Sequence, residues 1–405
     1  MLNRRLFLQG SALIGCSAAA HPLLSTATFA AAPGENRLVV IILRGAMDGL
    51  DLVQPRGDVG FARYRPGLAA LAAGVEGGPL PLDGFWAAHP GLAKLMPLWD
   101  AGELGFVHAT STPYRDKRSH FDGQDLLEAG TGMDLPAGMA REGWLNRMLQ
   151  AMPGVQSQTA FSVGAEEMLI LSGKAPAANW APASRLDLSA QARLLLDHVY
   201  HDDPLFRDAA AEAVELSEDM VAGEQMGGEK TGGEKMGSDV NRQPVKLAEF
   251  AAARLREDTR IASFSVSGWD THRAQAGVMT AGLRRLSDSV LALKDGLGPV
   301  WGQTTVLAMT EFGRTVRENG SGGTDHGTGG AMLVAGGAVR GGRVHGRWPG
   351  LAEAELYAGR DLMPTSDVRA WAGWAIRGLY GLDTGLIEGR VFPGLDMGGD
   401  PGLLL

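Results

Sequence analysis

The stretch 37–43, RLVVIIL, is apolar and rich in β-branched residues after its first position. A strand wet on one side alternates polar with apolar residues. An unbroken run points instead to a strand buried on both faces, as in a mostly parallel sheet covered by helices. It breaks at once into RGAMDGLD, residues 44–51. Runs of the same kind stand at 104–109, 159–163, 260–267, 304–309 and 331–337, and between them lie helical patterns at 90–101, 121–128, 141–152, 188–221, 245–256, 276–297 and 366–380. Strands alternating with helices predict an α/β fold, a three-layer α/β/α sandwich around a mostly parallel sheet, forming one domain over 32–405.

The 405 residues are 45% hydrophobic and 20% charged, enough to bury one large core. A formal charge of −9 argues against a nonspecific nucleic-acid partner, which needs a cationic surface. Residues 223–239, GEQMGGEKTGGEKMGSD, repeat a GGEK unit without an apolar face. They are expected to form a flexible loop, since they bury too little surface to offset chain entropy.

At the N-terminus, Arg4 and Arg5 precede an apolar stretch and small residues near Ala30 and Ala31. This predicts a twin-arginine export signal over 1–31, with the twin-arginine translocase as transient partner and a periplasmic or secreted product. The apolar run falls short of about 20 residues, so no membrane span is expected in the mature chain. Cys16, the only cysteine, allows an alternative, a lipoprotein anchored at that residue. Either way no disulfide and no thiolate chemistry is expected of the mature protein.

Loops that leave the carboxyl ends of parallel strands converge on one rim. Asp48 follows the first strand, flanked by glycine, and is either a metal ligand or the cap of the next helix. In RSHFD, Ser119 stands where an N-cap would, with Asp122 three residues on; a hydroxyl there, beside Arg118 and His120, is also placed to attack an anionic ester. Asp270 and His272, in WDTH, offer a mixed oxygen and nitrogen set suited to Zn or Mn. Glu311, Arg314, Arg317, Asp325 and His326 share one glycine-rich loop, 308–327, in which the arginines could grip a phosphate or sulfate. Capping, salt bridges and surface exposure explain any one of these residues alone. His108 is an outer candidate, and the remaining histidines are expected to be structural.

The order RGAMDGLD, RSHFDGQD, WDTH, TEFGRTVRENGSGGTDHG, GGRVHGRWPG and PTSDVRA resembles the exported bacterial family called domain of unknown function 1501, which is grouped with the alkaline phosphatase-like superfamily. The resemblance implies a metal site at the strand ends, with Asp48, Asp270, His272 and His326 as ligands and Ser119 as nucleophile. Glu311 would take the place of an aspartate, but the next residue is Phe312 where a histidine is expected. His120 or Asp325 would then compensate, or the site would hold one metal, or none. The activity implied is hydrolysis of a small phosphate or sulfate ester by Ser119 with two divalent ions roughly 4 Å apart, Arg118 or Arg314 steadying the anion. The alternative is a noncatalytic exported binding protein with a degenerate metal site.

Overall fold

The structure, a computed structural model, describes residues 34–133, 142–164, 168–180 and 237–405. The expected export signal, Cys16, the helical pattern at 188–221 with His198 and His201, and residues 223–236 of the GGEK segment lie outside these. The last three residues of that segment are not loop. They open a helix, Gly237–Leu255.

Among the described residues, nine strands form the main sheet: β1 (Arg37–Arg44), β2 (Leu104–Ser111), β3 (Ala160–Val163), β4 (Ala178–Trp180), β5 (Ile261–Ser267), β6 (Thr304–Met309), β7 (Gly330–Ala335), β8 (Val344–His345) and β9 (Ser366–Asp367). Their order is β8-β2-β7-β6-β1-β5-β3-β4, with β9 also on β2. Every pairing is parallel except those of β7, which runs antiparallel to both β2 and β6. Residues 53–55, 80–81 and 86–88 make a small separate antiparallel sheet, which no periodicity announced.

Among the described residues, the five principal helices are α1 (His120–Ala129), α2 (Trp144–Ala151), α3 (Gly237–Leu255), α4 (Gln275–Leu297) and α5 (Val368–Tyr380). Strand β1 explains the layering. Val39, Ile41 and Leu43 pack with Ala251 and Leu255 of α3 and Leu283, Leu286 and Val290 of α4. Leu38, Val40 and Ile42 point the other way, toward Leu145 and Met148 of α2 and Ala375 and Ile376 of α5. Successive strand residues face opposite sides, so only a fully apolar strand satisfies two helical layers at once. Each buried Leu or Ile contributes about 1.5–3 kcal/mol relative to exposure. The sandwich is therefore built outward from this strand, as its sequence predicts.

Candidate metal centre

The parallel strands β1, β2, β5 and β6 deliver their carboxyl ends to one rim. Because β7 is antiparallel, the loop that precedes it arrives at the same rim. Asp270 follows β5, Glu311 follows β6, His120 opens α1 beyond β2, and Asp325 and His326 precede β7. Two close backbone approaches hold the loops together. Gly45, at φ 117°, has no room for a side chain, since a Cβ there would lie 2.7 Å from Asp270 N; one on Gly323 would lie 2.3 Å from Thr271 O.

Three imidazoles and one carboxylate meet there. His272 Nε2 and His326 Nε2 each lie 3.1 Å from Asp270 Oδ1, and His120 Nε2 lies 3.4 Å from it. His272 Nε2 and His326 Nε2 face each other at 3.0 Å. The other ring nitrogen of each histidine is held by an oxygen: His120 Nδ1 by Glu311 Oε1 at 2.8 Å, His272 Nδ1 by Asp325 Oδ1 at 3.2 Å, and His326 Nδ1 by the Arg118 carbonyl at 3.1 Å. Donation of Nδ1–H to these acceptors fixes each tautomer and turns an Nε2 lone pair toward Asp270.

That convergence is electrostatically incomplete without a cation. Asp270 Oδ1 has one unambiguous donor, Arg314 Nη1 at 2.7 Å, while any imidazole whose proton sits on Nδ1 turns a lone pair toward it. Among the described residues, His120 Nε2 is buried without a hydrogen-bond partner. Ligand atoms of His120, Asp270 and His326 fall within 4.8 Å of one another, and a His-rich set with one carboxylate suits Zn or a similar divalent ion. The residues present fit a metal.

Protonation is set by the same contacts. Burial pushes the Asp270 carboxyl up, but the Arg314 guanidinium bonded to it, together with the imidazoles around it, outweighs this and brings it down to about 2. Burial likewise opposes ionisation of Glu311, and its bonds from His120, Gln124 and Thr310 more than compensate, lowering it. The Glu311 hydrogen bond raises His120 despite its partial burial. For His326 desolvation dominates and lowers the imidazole.

Residues 110–373 match the family described as "Protein of unknown function (DUF1501)". The chain belongs to that family. No curated protein matches the sequence. Among solved structures it is similar to a protein of the alkaline phosphatase superfamily from Vibrio parahaemolyticus, at 13% identity and a TM-score of 0.36 over 75% of this chain and 60% of that one. It is also similar to the lipoteichoic acid synthase LtaP from Listeria monocytogenes, at 8% identity and a TM-score of 0.32 over 71% and 58% of the two chains. A third, a TAB5 alkaline phosphatase variant with Mg bound, gives 11% identity and a TM-score of 0.32 over 75% and 91%. The chain thus spans 60% and 58% of the lengths of the first two.

In this DUF1501 protein not every candidate stands in the cluster. Asp48 takes the capping role: its Oδ1 accepts from Leu50 N at 3.0 Å and Asp51 N at 3.3 Å, and its Oδ2 from Arg65 Nη1 at 2.8 Å and Gln275 Nε2 at 2.7 Å. Glu311 and Asp325 orient histidines, as described above. Arg314 is buried and committed to Asp270, Thr324 Oγ1 and the Thr324 carbonyl. Arg317 lies over the Tyr64 ring at 4.3 Å. Ser119 N-caps α1, its Oγ accepting from Asp122 N at 3.4 Å. Arg118 is exposed, with φ 54°. His108 faces inward, its Nε2 3.2 Å from the Val53 carbonyl, and away from the cluster.

Two participants went unnoticed in the sequence. Arg65, fully buried, donates to Asp48, Thr315 O and Val316 O, joining segments some 250 positions apart. Gln124 bridges Glu311 Oε1 and Arg44. The spacing of His120, Gln124 and Glu128 by four places one polar stripe on α1, a signal that could have found Gln124. Nothing local marks Arg65.

Proposed function

We propose that this protein is an exported hydrolase of phosphate or sulfate esters that depends on a divalent cation. The observation that carries the reading is the set of three imidazoles, each tethered at Nδ1, whose Nε2 atoms all lie within 3.4 Å of Asp270 Oδ1. His120, Asp270, His272 and His326 would hold the ion, and Glu311, Asp325 and the Arg118 carbonyl would orient the imidazoles. When bound, Zn or Mn supplies Lewis-acid stabilisation to an anionic ester and its leaving oxygen.

The chain's own residues supply the rest. Ser119 Oγ, at the N-terminus of α1 and next to His120, forms the bond to phosphorus or sulfur as the bond to the leaving alkoxide breaks, and its proton ends on that alcohol. Water then attacks the phosphorus or sulfur, the bond to Ser119 Oγ breaks, a proton from the water restores the hydroxyl, and inorganic phosphate or sulfate leaves. The positive end of α1 and the exposed Arg118 side chain favour the anionic group, while Arg314 keeps Asp270 ionised and aimed. Small anionic esters are the substrate class. The twin-arginine signal supports export, and no helix among the described residues is long and apolar enough to cross a membrane.

The test is a screen of phosphate and sulfate esters with the Zn- or Mn-loaded protein beside its Ser119→Ala variant. Turnover lost in the variant with ion content unchanged supports the reading; turnover retained removes Ser119 from it. A second reading, a noncatalytic exported binding protein, is favoured by Phe312 in place of a ligand and by the saturation of Asp48. It predicts ion content without turnover of any ester in the screen.

A further inference from the structure

Resting on that metal-dependent reading, the geometry points to a site for one divalent cation, not two: we infer that the Arg65 guanidinium and the Phe312 ring fill what a second, neighbouring ion would need. A second ion requires several donors with free lone pairs. The buried carboxylates beside the cluster, Asp48, Asp51 and Glu311, are instead enclosed and already accept hydrogen bonds from the fold. Asp48, 1% exposed, spends Oδ1 on two backbone N–H groups and Oδ2 on Arg65 and Gln275, with the Thr324 hydroxyl a further 3.3 Å neighbour. Asp51 accepts from Gln54 at 3.0 Å and from the same Gln275 amide at 3.0 Å.

Glu311 is more completely enclosed. It is 0% exposed, and its Oε1 accepts from Gly45 N, Ala46 N, His120 Nδ1 and Gln124 Nε2 at 2.9, 3.0, 2.8 and 3.1 Å. Its Oε2 accepts from the Thr310 hydroxyl at 2.8 Å. The next residue, Phe312, presents only carbon, its ring stacked on Tyr114 and His120 with centroids 5.8 and 5.3 Å away.

Arg65 supplies the positive charge that a second ion would bring. Its three nitrogens reach Asp48 Oδ2 at 2.8 Å, the Thr315 carbonyl at 2.7 Å and the Val316 carbonyl at 2.9 Å. A guanidinium does not deprotonate in a protein, and this one has no solvent to retreat into. An ion displacing it would leave a buried cation and two carbonyls unpaired. Arg65 is thus a positioning residue that ties loop 311–327 to the end of β1 and fixes the ion count.

The experiment counts ions on the full mature chain loaded separately with Zn2+ or Mn2+, by elemental analysis and by native mass spectrometry. One ion per chain is expected. Asp48→Asn should still bind one, with affinity changed by less than about tenfold, whereas Asp270→Asn and His326→Ala should each lose about 100-fold or more, the larger effect belonging to the ligands themselves. Two ions per chain, or loss of the ion from a folded Asp48→Asn protein, overturns the inference. The wild-type count needs no variant, so a poorly folding Asp48→Asn leaves it decisive. No ion in the wild type after reconstitution overturns the metal-dependent reading and this inference together, an outcome distinct from a count of two.

Discussion

Asp48 and Asp270 leave neighbouring strands, β1 and β5, at the same rim of the sheet, yet they end in opposite situations. Asp48 is sealed, 1% exposed, with an arginine, an amide and two backbone N–H groups around it. The Asp270 side chain is 45% exposed and meets one arginine and three imidazoles. The difference teaches that a carboxylate at a strand end is left open to a cation only where the fold withholds donors from it. Filled with N–H groups, the same residue type becomes part of the scaffold.

The comparison breaks most visibly in stability. Asp48→Ala strands the buried Arg65 and should cost about 3–5 kcal/mol in urea unfolding; a loss under about 1 kcal/mol would mean that the pair is not what holds loop 311–327. Glu311→Gln should cost about 1–3 kcal/mol, from a buried donor left unsatisfied, and weaken metal affinity about 10–100-fold by releasing His120. Titration calorimetry showing unchanged affinity would refute the orienting role.

A pH series sharpens the contrast between sealed and open positions. His108 is fully buried, and desolvation brings its imidazole down to about 3. Against an unfolded value of about 6.5, the unfolded chain binds the extra proton between the two. Stability is therefore fully present above about pH 6.5 and declines as pH falls toward 3, by at most about 1.4 kcal/mol per pH unit. His108→Asn should flatten that slope by roughly one proton in denaturation curves taken across this window; an unchanged slope would place the titrating group elsewhere.

At the open site the expected stability effects are smaller. Asp270→Asn keeps an acceptor for Arg314 and should move stability by about 1 kcal/mol or less in the metal-free protein, although the ion is lost. Ser119→Ala removes a long capping bond and should cost no more than about 1 kcal/mol, measured by thermal melting, while ester hydrolysis disappears. A stability loss there equal to that of Asp48→Ala would erase the distinction between the two regions.

Much of this was legible in the chain. The apolar run at 37–43 gave β1 with one residue added at its end, 276–297 gave α4 to within one residue, and 304–309 gave β6 as it stands. Ser119 also caps its helix as the spacing from Asp122 suggested. The small sheet of Val53–Pro55, Leu80–Pro81 and Trp86–Ala88 was missed, because strands of two or three residues carry no measurable period. The start of α3 was missed too, where a glycine- and charge-rich composition hid helical residues.

What the sequence determined by itself is the layered sandwich and the rim on which polar residues collect, since burial on two faces and alternation of elements are properties of local pattern. Which of those residues face one another was decided by tertiary structure alone. The antiparallel course of β7 brings His326 to Asp270, and Arg65, far from either in sequence, claims Asp48. Lone pairs are allotted by contacts across the whole fold, and no local spacing encodes which donor arrives first.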